Sequence, residues 1–199
     1  MNTQSHAILT TVLVRIGLQE RVANVKYLNP LLVAGALTPD LPLFVFFFWF
    51  NFFDPHSQAA IWNECYYYPG WQLAINAFHS FTVWGLLTFV LWWMQKIPAA
   101  LFSLAALLAS AEDFLLHSDD AHAHFWPLTN YRFNSPVSYW DPEFHGAIAS
   151  LGEIMVVLLA ALWLWPRVAT TWGKLLLLAG VVTLMGCHGI WSLIFTVFH

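Results

Sequence analysis

The sequence predicts an all-α protein. It reads as a polytopic transmembrane helical bundle of about five to six membrane segments, each needing roughly 20 apolar residues, with the second span broken at Pro39/Pro42. One integral membrane domain covers residues 1–199. Three observations carry this expectation. Of 199 residues, 59% are hydrophobic and only 9% charged, with a mean hydropathy of +0.62. Soluble domains carry roughly 25% charged residues, and so few could not cover a water-facing surface. Apolar runs of the length of a bilayer crossing recur along the chain, and 12 Trp and 17 Phe suit lipid and its interfaces.

Composition also excludes. A net charge of −4 with 7 Lys+Arg leaves no basic stripe, so no nucleic-acid partner is expected. Two cysteines, Cys65 and Cys187, make neither a thiolate metal set nor a disulfide framework. Cys65 reads as exposed and Cys187 as membrane-buried, so they are not expected to pair.

In chain order, the apolar runs lie at 28–53, 74–96, 98–117, 145–165 and 174–198. A shorter run at 5–19, near 15 residues, covers about 22 Å at 1.5 Å per residue and makes a short or tilted helix. Residues 1–5 lack the basic start of a cleaved signal peptide. The second span carries Gly35-Ala36-Leu37-Thr38-Pro39-Asp40-Leu41-Pro42. Proline removes a backbone donor and breaks the helix. A broken backbone at membrane depth survives only where protein or trapped water satisfies it, and an acid there is costly unless it has a task.

Lys and Arg set the orientation. With alternating spans, Arg15, Arg21, Lys26, Lys96, Arg167 and Lys174 share one side, and Arg132 alone lies on the other. The basic side is cytoplasmic, which places the loops at 54–73 and 118–144 outside. In a bacterium this means the inner membrane, with the 118–144 loop in the periplasm.

Counting helix rise from each end puts the polar residues at one depth. His6, Asp40, His79, Glu112, Asp113 and His117 all fall in the outer half of the membrane. Glu153 and His188 lie roughly 12 Å below the outer ends of their spans, where they would pair as a clamp or serve a site. Asp113 and His117, four apart, share one helix face. They would ligate one metal, or the acid would orient the imidazole; a plain buried Asp–His hydrogen bond is the structural alternative. The next loop, His117-Ser118-Asp119-Asp120-Ala121-His122-Ala123-His124, crowds nitrogen and oxygen donors suited to zinc or another divalent ion. A solvated acidic loop is the plainer alternative there. The aromatic and proline-rich stretch from Phe125 to Pro142 reads as an ordered interfacial cap or as an aromatic belt. His56, His145 and His199 sit at loop or chain ends with no special task. Ser80 lacks the G-x-S-x-G context of a serine nucleophile.

The order of these pieces resembles a family. His6, then Gly35-Ala36-Leu37-Thr38-Pro39-Asp40, then His79-Ser80, then Asp113 with His117 is similar to the membrane-bound, metal-dependent hydrolases of the YdjM-like group, distant relatives of zinc-dependent phospholipase C. The stretch from Asp119 to Gly146, with H-F-W-P-L, is similar to an uncharacterised bacterial branch. The resemblance implies a metal site on His6, Asp40, His79 and Asp113 with water as nucleophile. Three positions depart from the pattern: Leu41-Pro42 in place of a second acid after P-D, Phe78 in place of Thr before His-Ser, and Ala109 in place of a His one turn before Asp113. The missing ligand would come from His117, His122 or His124, or the metal has been lost.

The expected function is therefore a membrane-embedded, divalent-metal-dependent hydrolase, with zinc as the ion. It would act on an ester or phosphoester, including a lipid, near the outer membrane surface, with Glu112 or Asp120 as general base. The bilayer is the expected partner, and protein partners are left open. A non-catalytic subunit or scaffold of a larger complex, with a structural ion or none, or a transporter using the broken span, are the alternatives. An isolated intramembrane charge costs at least about 2.5–3.5 kcal/mol, so the intramembrane set is expected to hold the ion in preference to the loop set of Asp119, Asp120, His122 and His124.

Overall fold

A computed structural model describes the backbone of residues 1–198, and the side chains of all these except Glu20, Ala23 and 187–198. The expectations for Cys187, His188 and His199 lie outside the described residues. Every regular element is helical: α1 (Thr3–Leu18), α2 (Glu20–Ala23), α3 (Leu28–Leu37), α4 (Leu41–Phe48) with a widened turn to Phe53, α5 (Gln58–Asn63), α6 (Pro69–Phe78), α7 (Phe81–Trp93), α8 (Ile97–Leu116), α9 (Gly146–Leu164) and α10 (Thr171–Phe198).

Three stretches are long and apolar enough to cross a membrane: Pro69–Trp93, Ile97–Leu116 and Gly146–Arg167. The pair Leu28–Leu37 and Leu41–Phe53, bent by 57°, makes a fourth if counted as one span. Among the described residues there are therefore three to four candidate spans where the sequence suggested about five to six. α1 falls short because its 16 residues include Thr3, Gln4, Ser5, His6, Thr10, Thr11 and Arg15. In α10 the part with described side chains, Thr171–Gly186, is apolar but shorter than a crossing.

α8 is the centre. It packs against α3 on one side and α7 on the other, while α1 lies over α3, α8, α9 and α10. Small residues allow the close approach: Ala100, Ser103, Ala105, Ala106, Ala109 and Ser110 are all buried along α8. In lipid, where no hydrophobic force separates one helix from its solvent, such close backbone packing carries association. The tightest contact is at Gly35, where an added Cβ would stand 2.3 Å from the Phe102 carbonyl oxygen. Gly35 thus lets α3 lie directly on α8, which fixes the break that follows it.

Two breaks matter. The first, expected from Pro39 and Pro42, bends α3 into α4 and leaves Asp40 at the corner, 7% exposed. Thr38 Oγ1 donates to the Ala34 carbonyl there (2.8 Å). The second interrupts the run 74–96 at His79-Ser80, between α6 and α7, with no proline or glycine at the break. Ser80 caps α7 by accepting from the Val83 amide (3.1 Å) and donates its own hydroxyl to the Trp126 carbonyl. Trp84 Nε1 donates to the Phe78 carbonyl (2.6 Å), which the break would otherwise leave orphaned.

The loop from Ser118 to His145 folds back over these breaks as an ordered cap. The Ala123 amide donates to Asn76 Oδ1 (2.9 Å), the Phe81 amide to the His124 carbonyl (2.7 Å), and Arg132 reaches both the Ala121 carbonyl and Gln72 Oε1. Cys65, expected to be exposed, is fully buried. Phe46, Phe50, Ile61, Tyr66 and Ile75 enclose it in an aromatic cluster that joins α4, α5 and α6.

Candidate metal centre

Helix ends deliver the donors. His6 projects from the first turns of α1, Asp113 from the last turn of α8, and His117 lies just past the end of α8. Asp40 and His79 occupy the two breaks. His6, Asp40 and Asp113 are all buried, and each offers a ligand atom within 4.8 Å of the others, so the group could hold a metal ion.

The distances around this group are short. His6 Nε2 lies 3.1 Å and His117 Nε2 3.3 Å from Asp113 Oδ1. His79 Nε2 lies 3.5 Å from Asp113 Oδ2 and 3.6 Å from Asp40 Oδ1. Donors about 2.0–2.2 Å from one tetrahedral ion stand roughly 3.3–3.6 Å apart. For direct hydrogen bonds the His79 separations are too long, and its fully buried Nε2 has no hydrogen-bond partner. Met1 nitrogen also lies close, 2.6 Å from Asp113 Oδ1.

Each imidazole is held from behind. His6 Nδ1 lies 2.6 Å from Glu112 Oε2, His79 Nδ1 2.9 Å from the Ile75 carbonyl, and His117 Nδ1 2.8 Å from Asp120 Oδ2. With Nδ1 donating to these acceptors, a bound ion would meet the Nε2 lone pairs on the side of the carboxylates. Metal-bound histidines take the same arrangement, with the second ring nitrogen donating to a carboxylate or carbonyl that fixes tautomer and angle. Glu112 and Asp120, read from the sequence as general bases, therefore stand behind histidines. Thr10 Oγ1 donates to Glu112 Oε1 (3.3 Å), and Trp140 Nε1 donates to Asp120 Oδ2 (3.2 Å). Asp40 receives the Thr3 hydroxyl at Oδ2 (2.5 Å).

The loop set divides. The His122 ring lies 4.0 Å from that of His79 and 5.0 Å from that of His117, centroid to centroid. It is buried, and neither ring nitrogen has a hydrogen-bond partner. His124 is also buried and lies against Phe81 and Phe114; its Nδ1 is 3.0 Å from the His122 carbonyl, and its Nε2 has no partner. Burial, reinforced by the neighbouring His79, pushes His122 well below the ordinary imidazole value and His124 down to about 4. Both rings are thus neutral at pH 7, with lone pairs to offer. Asp119 stays exposed, as do His56 and His145.

Glu153 reaches the site's edge through Asn2, whose amide nitrogen donates to Glu153 Oε1 (2.9 Å). The sequence reading passed over Thr3, Thr10, Asn76, Trp140 and Tyr139. Thr10 carried a signal, one turn after His6 on the same face; Trp140 carried none. A cavity of about 360 Å³ opens beside the cluster, lined by Asp40, Asp113, His117, His122 and Tyr139 and by Phe44, Phe47 and Trp62. Comparisons with protein-family models, with curated proteins and with solved structures found no match for this chain.

Proposed function

We propose that the chain is a membrane-embedded, divalent-metal-dependent hydrolase of esters or phosphoesters. The observation that supports it best is the shared orientation of His6, His79 and His117. Each ring is anchored through Nδ1 and turned so that Nε2 meets Asp113, or Asp113 and Asp40. A buried acid–base pair kept only for structure needs no such second anchor.

His6, His79, His117, Asp113 and Asp40 would hold the ion, and zinc suits a nitrogen- and oxygen-rich set of this kind. Bound there, it would supply Lewis-acid polarisation of an ester or phosphoester oxygen and a nucleophile made from water near pH 7. The chain's own residues do the rest. Glu112 and Asp120 fix the rings, with Thr10 and Trp140 steadying those carboxylates. Asp120 Oδ1, buried and without a hydrogen-bond partner, is the oxygen left to take a proton. His122 offers a neutral ring at the cavity wall. Tyr139, Phe44, Phe47 and Trp62 would give the substrate apolar walls.

A purely structural ion sits in a closed shell, so the adjoining 360 Å³ cavity favours catalysis over a scaffold. The order of His6, Asp40, His79 and Asp113 supports kinship with YdjM-like hydrolases. The lysine and arginine distribution supports a site on the periplasmic side of a bacterial inner membrane, with α1 and α10 as the additional membrane segments.

The direct assay uses protein purified in detergent, loaded with zinc and given p-nitrophenyl esters and bis(p-nitrophenyl) phosphate. Turnover that is removed by a zinc chelator, restored by zinc and lost in Asp113→Asn supports the reading. Metal-loaded protein that turns over neither class contradicts it.

A further inference from the structure

A second, larger void adjoins the metal cavity. It is a groove of about 620 Å³ walled by α1, α3, α10 and the end of α9. Thr3, Gln4 and Phe44 line both spaces, so the two adjoin at these side chains. From that junction the groove follows α1 from Thr3 to Thr11 and α3 from Leu37 to Asn29. Nine residues of helix in each wall, eight rises of 1.5 Å, amount to about 12 Å along the helix axes.

The lining changes along this path. Polar groups stand at the junction, and the walls beyond are mainly Ala7, Ile8, Val33, Ala34, Leu37 and Leu177, with no charged residue among those that line the groove. At the far end Thr11 donates to the Ala7 carbonyl and Asn29 Oδ1 accepts from Arg15. Gly180 brings α10 onto α1 as a floor: an added Cβ would be 3.5 Å from Ile8 Cδ1. One wall, α3, belongs to the bent candidate span. At that depth the surrounding solvent is hydrocarbon. A polar substrate finds few free partners there, whereas a hydrocarbon chain matches both the walls and the solvent outside. Volumes of 300–1,000 Å³ are typical of sites that enclose a ligand.

We propose that this groove takes one acyl chain of a bilayer phospholipid and thereby sets the lipid's headgroup ester in the cavity beside His117, Asp113 and Asp40. The groove rests on the hydrolase reading only for what becomes of the headgroup. As a binding site it stands on its own.

The test uses the full chain in phosphatidylglycerol vesicles containing a trace of phosphatidylglycerol with a diazirine at the end of one acyl chain. After illumination, labelled peptides are mapped by mass spectrometry, and metal content is measured on the same samples. Labelling should concentrate at the far end of the groove, on α1 around Ala7–Thr11 and on α3 around Asn29–Val33. Ala34→Phe and Gly180→Leu, which fill the groove from two walls, should each lower that labelling about five-fold or more while leaving metal content unchanged. Leu86→Phe, on the exposed face of α7, should not. Labelling spread evenly over the exposed faces of α7 and α9, or unchanged by both filling variants, overturns the proposal. So does efficient disulfide dimerisation of an Ala34→Cys variant in membranes, which would make a second copy of the chain the occupant. Groove labelling without bound metal would sink the hydrolase and keep the lipid site; bound metal without groove labelling would do the reverse.

Discussion

Glu112 Oε2 lies 2.6 Å from His6 Nδ1, and this contact between α8 and α1 turns the other face of the ring toward Asp113. Glu112 and Asp113 are consecutive, so one turn of α8 supplies both the carboxylate that meets a ligand atom and the carboxylate behind the ring. Removing the rear acid should loosen the ligand without removing it. Glu112→Ala is expected to weaken zinc binding by about 10–100-fold, as supporting groups of this kind do, and Glu112→Gln by less, because its amide oxygen still accepts from Nδ1. Competition against a calibrated zinc chelator reads both; equal affinity in all three proteins would remove Glu112 from the site.

Asp40→Asn and His79→Ala should each lower bound metal at least about tenfold. Before the fold is known, changing His122 and His124 together is expected to cost less. The fold separates the two residues. His122, lying against the His79 and His117 rings with both nitrogens unpartnered, should matter; His124, packed against Phe81 and Phe114, should matter little. Single alanine variants of the two, compared by metal content, decide it. A loss confined to His124→Ala would mean that the cap is wrongly assigned.

Gly35→Ala should destabilise the protein by about 1–3 kcal/mol, the usual cost of overpacking, because the new methyl would meet the Phe102 carbonyl at 2.3 Å. α3 must then lift from α8 and carry Asp40 with it. A lower Tm in detergent together with weaker metal binding is expected; a normal Tm and normal affinity would contradict the close approach.

Orientation is testable by labelling single cysteines in a background without Cys65 and Cys187. Leu128→Cys, at a position 79% exposed in the cap, should react with an impermeant maleimide from the outside. Thr170→Cys, between Arg167 and Lys174, should react only after the membrane is opened. The opposite pattern would invert the topology.

How much of this could be read from the sequence varied with how local the cause was. The α3–α4 corner was legible because Pro39 and Pro42 cannot continue a helix. The Asp113–His117 pair was legible because helical spacing alone puts the two on one face. At His79-Ser80 the sequence reads as the opening of the third span, and α7 does start at Phe81, but the end of α6 just before it was hidden in the apolar run 74–96. The break is held open by distant partners, among them the Trp126 carbonyl and the His124 carbonyl. The entry of His122 into the site depends on Asn76, Gln72 and Arg132 pinning the loop. Cys65 is buried by residues of three helices, none of them predictable from its neighbours. For Glu112 and Asp120, the sequence marked acids near histidines, but which ring nitrogen each would meet is decided only by packing.

The most direct test of the account is the metal content of protein purified from cells grown in ordinary medium, compared with that of an Asp113→Ala variant. Asp113 lies within 3.5 Å of His6, His79 and His117, so no other single change removes as much of the site. The account predicts about one divalent ion per chain in the unaltered protein and less than about a tenth of that in the variant. No stoichiometric ion in the unaltered protein, or equal amounts in both, would contradict it.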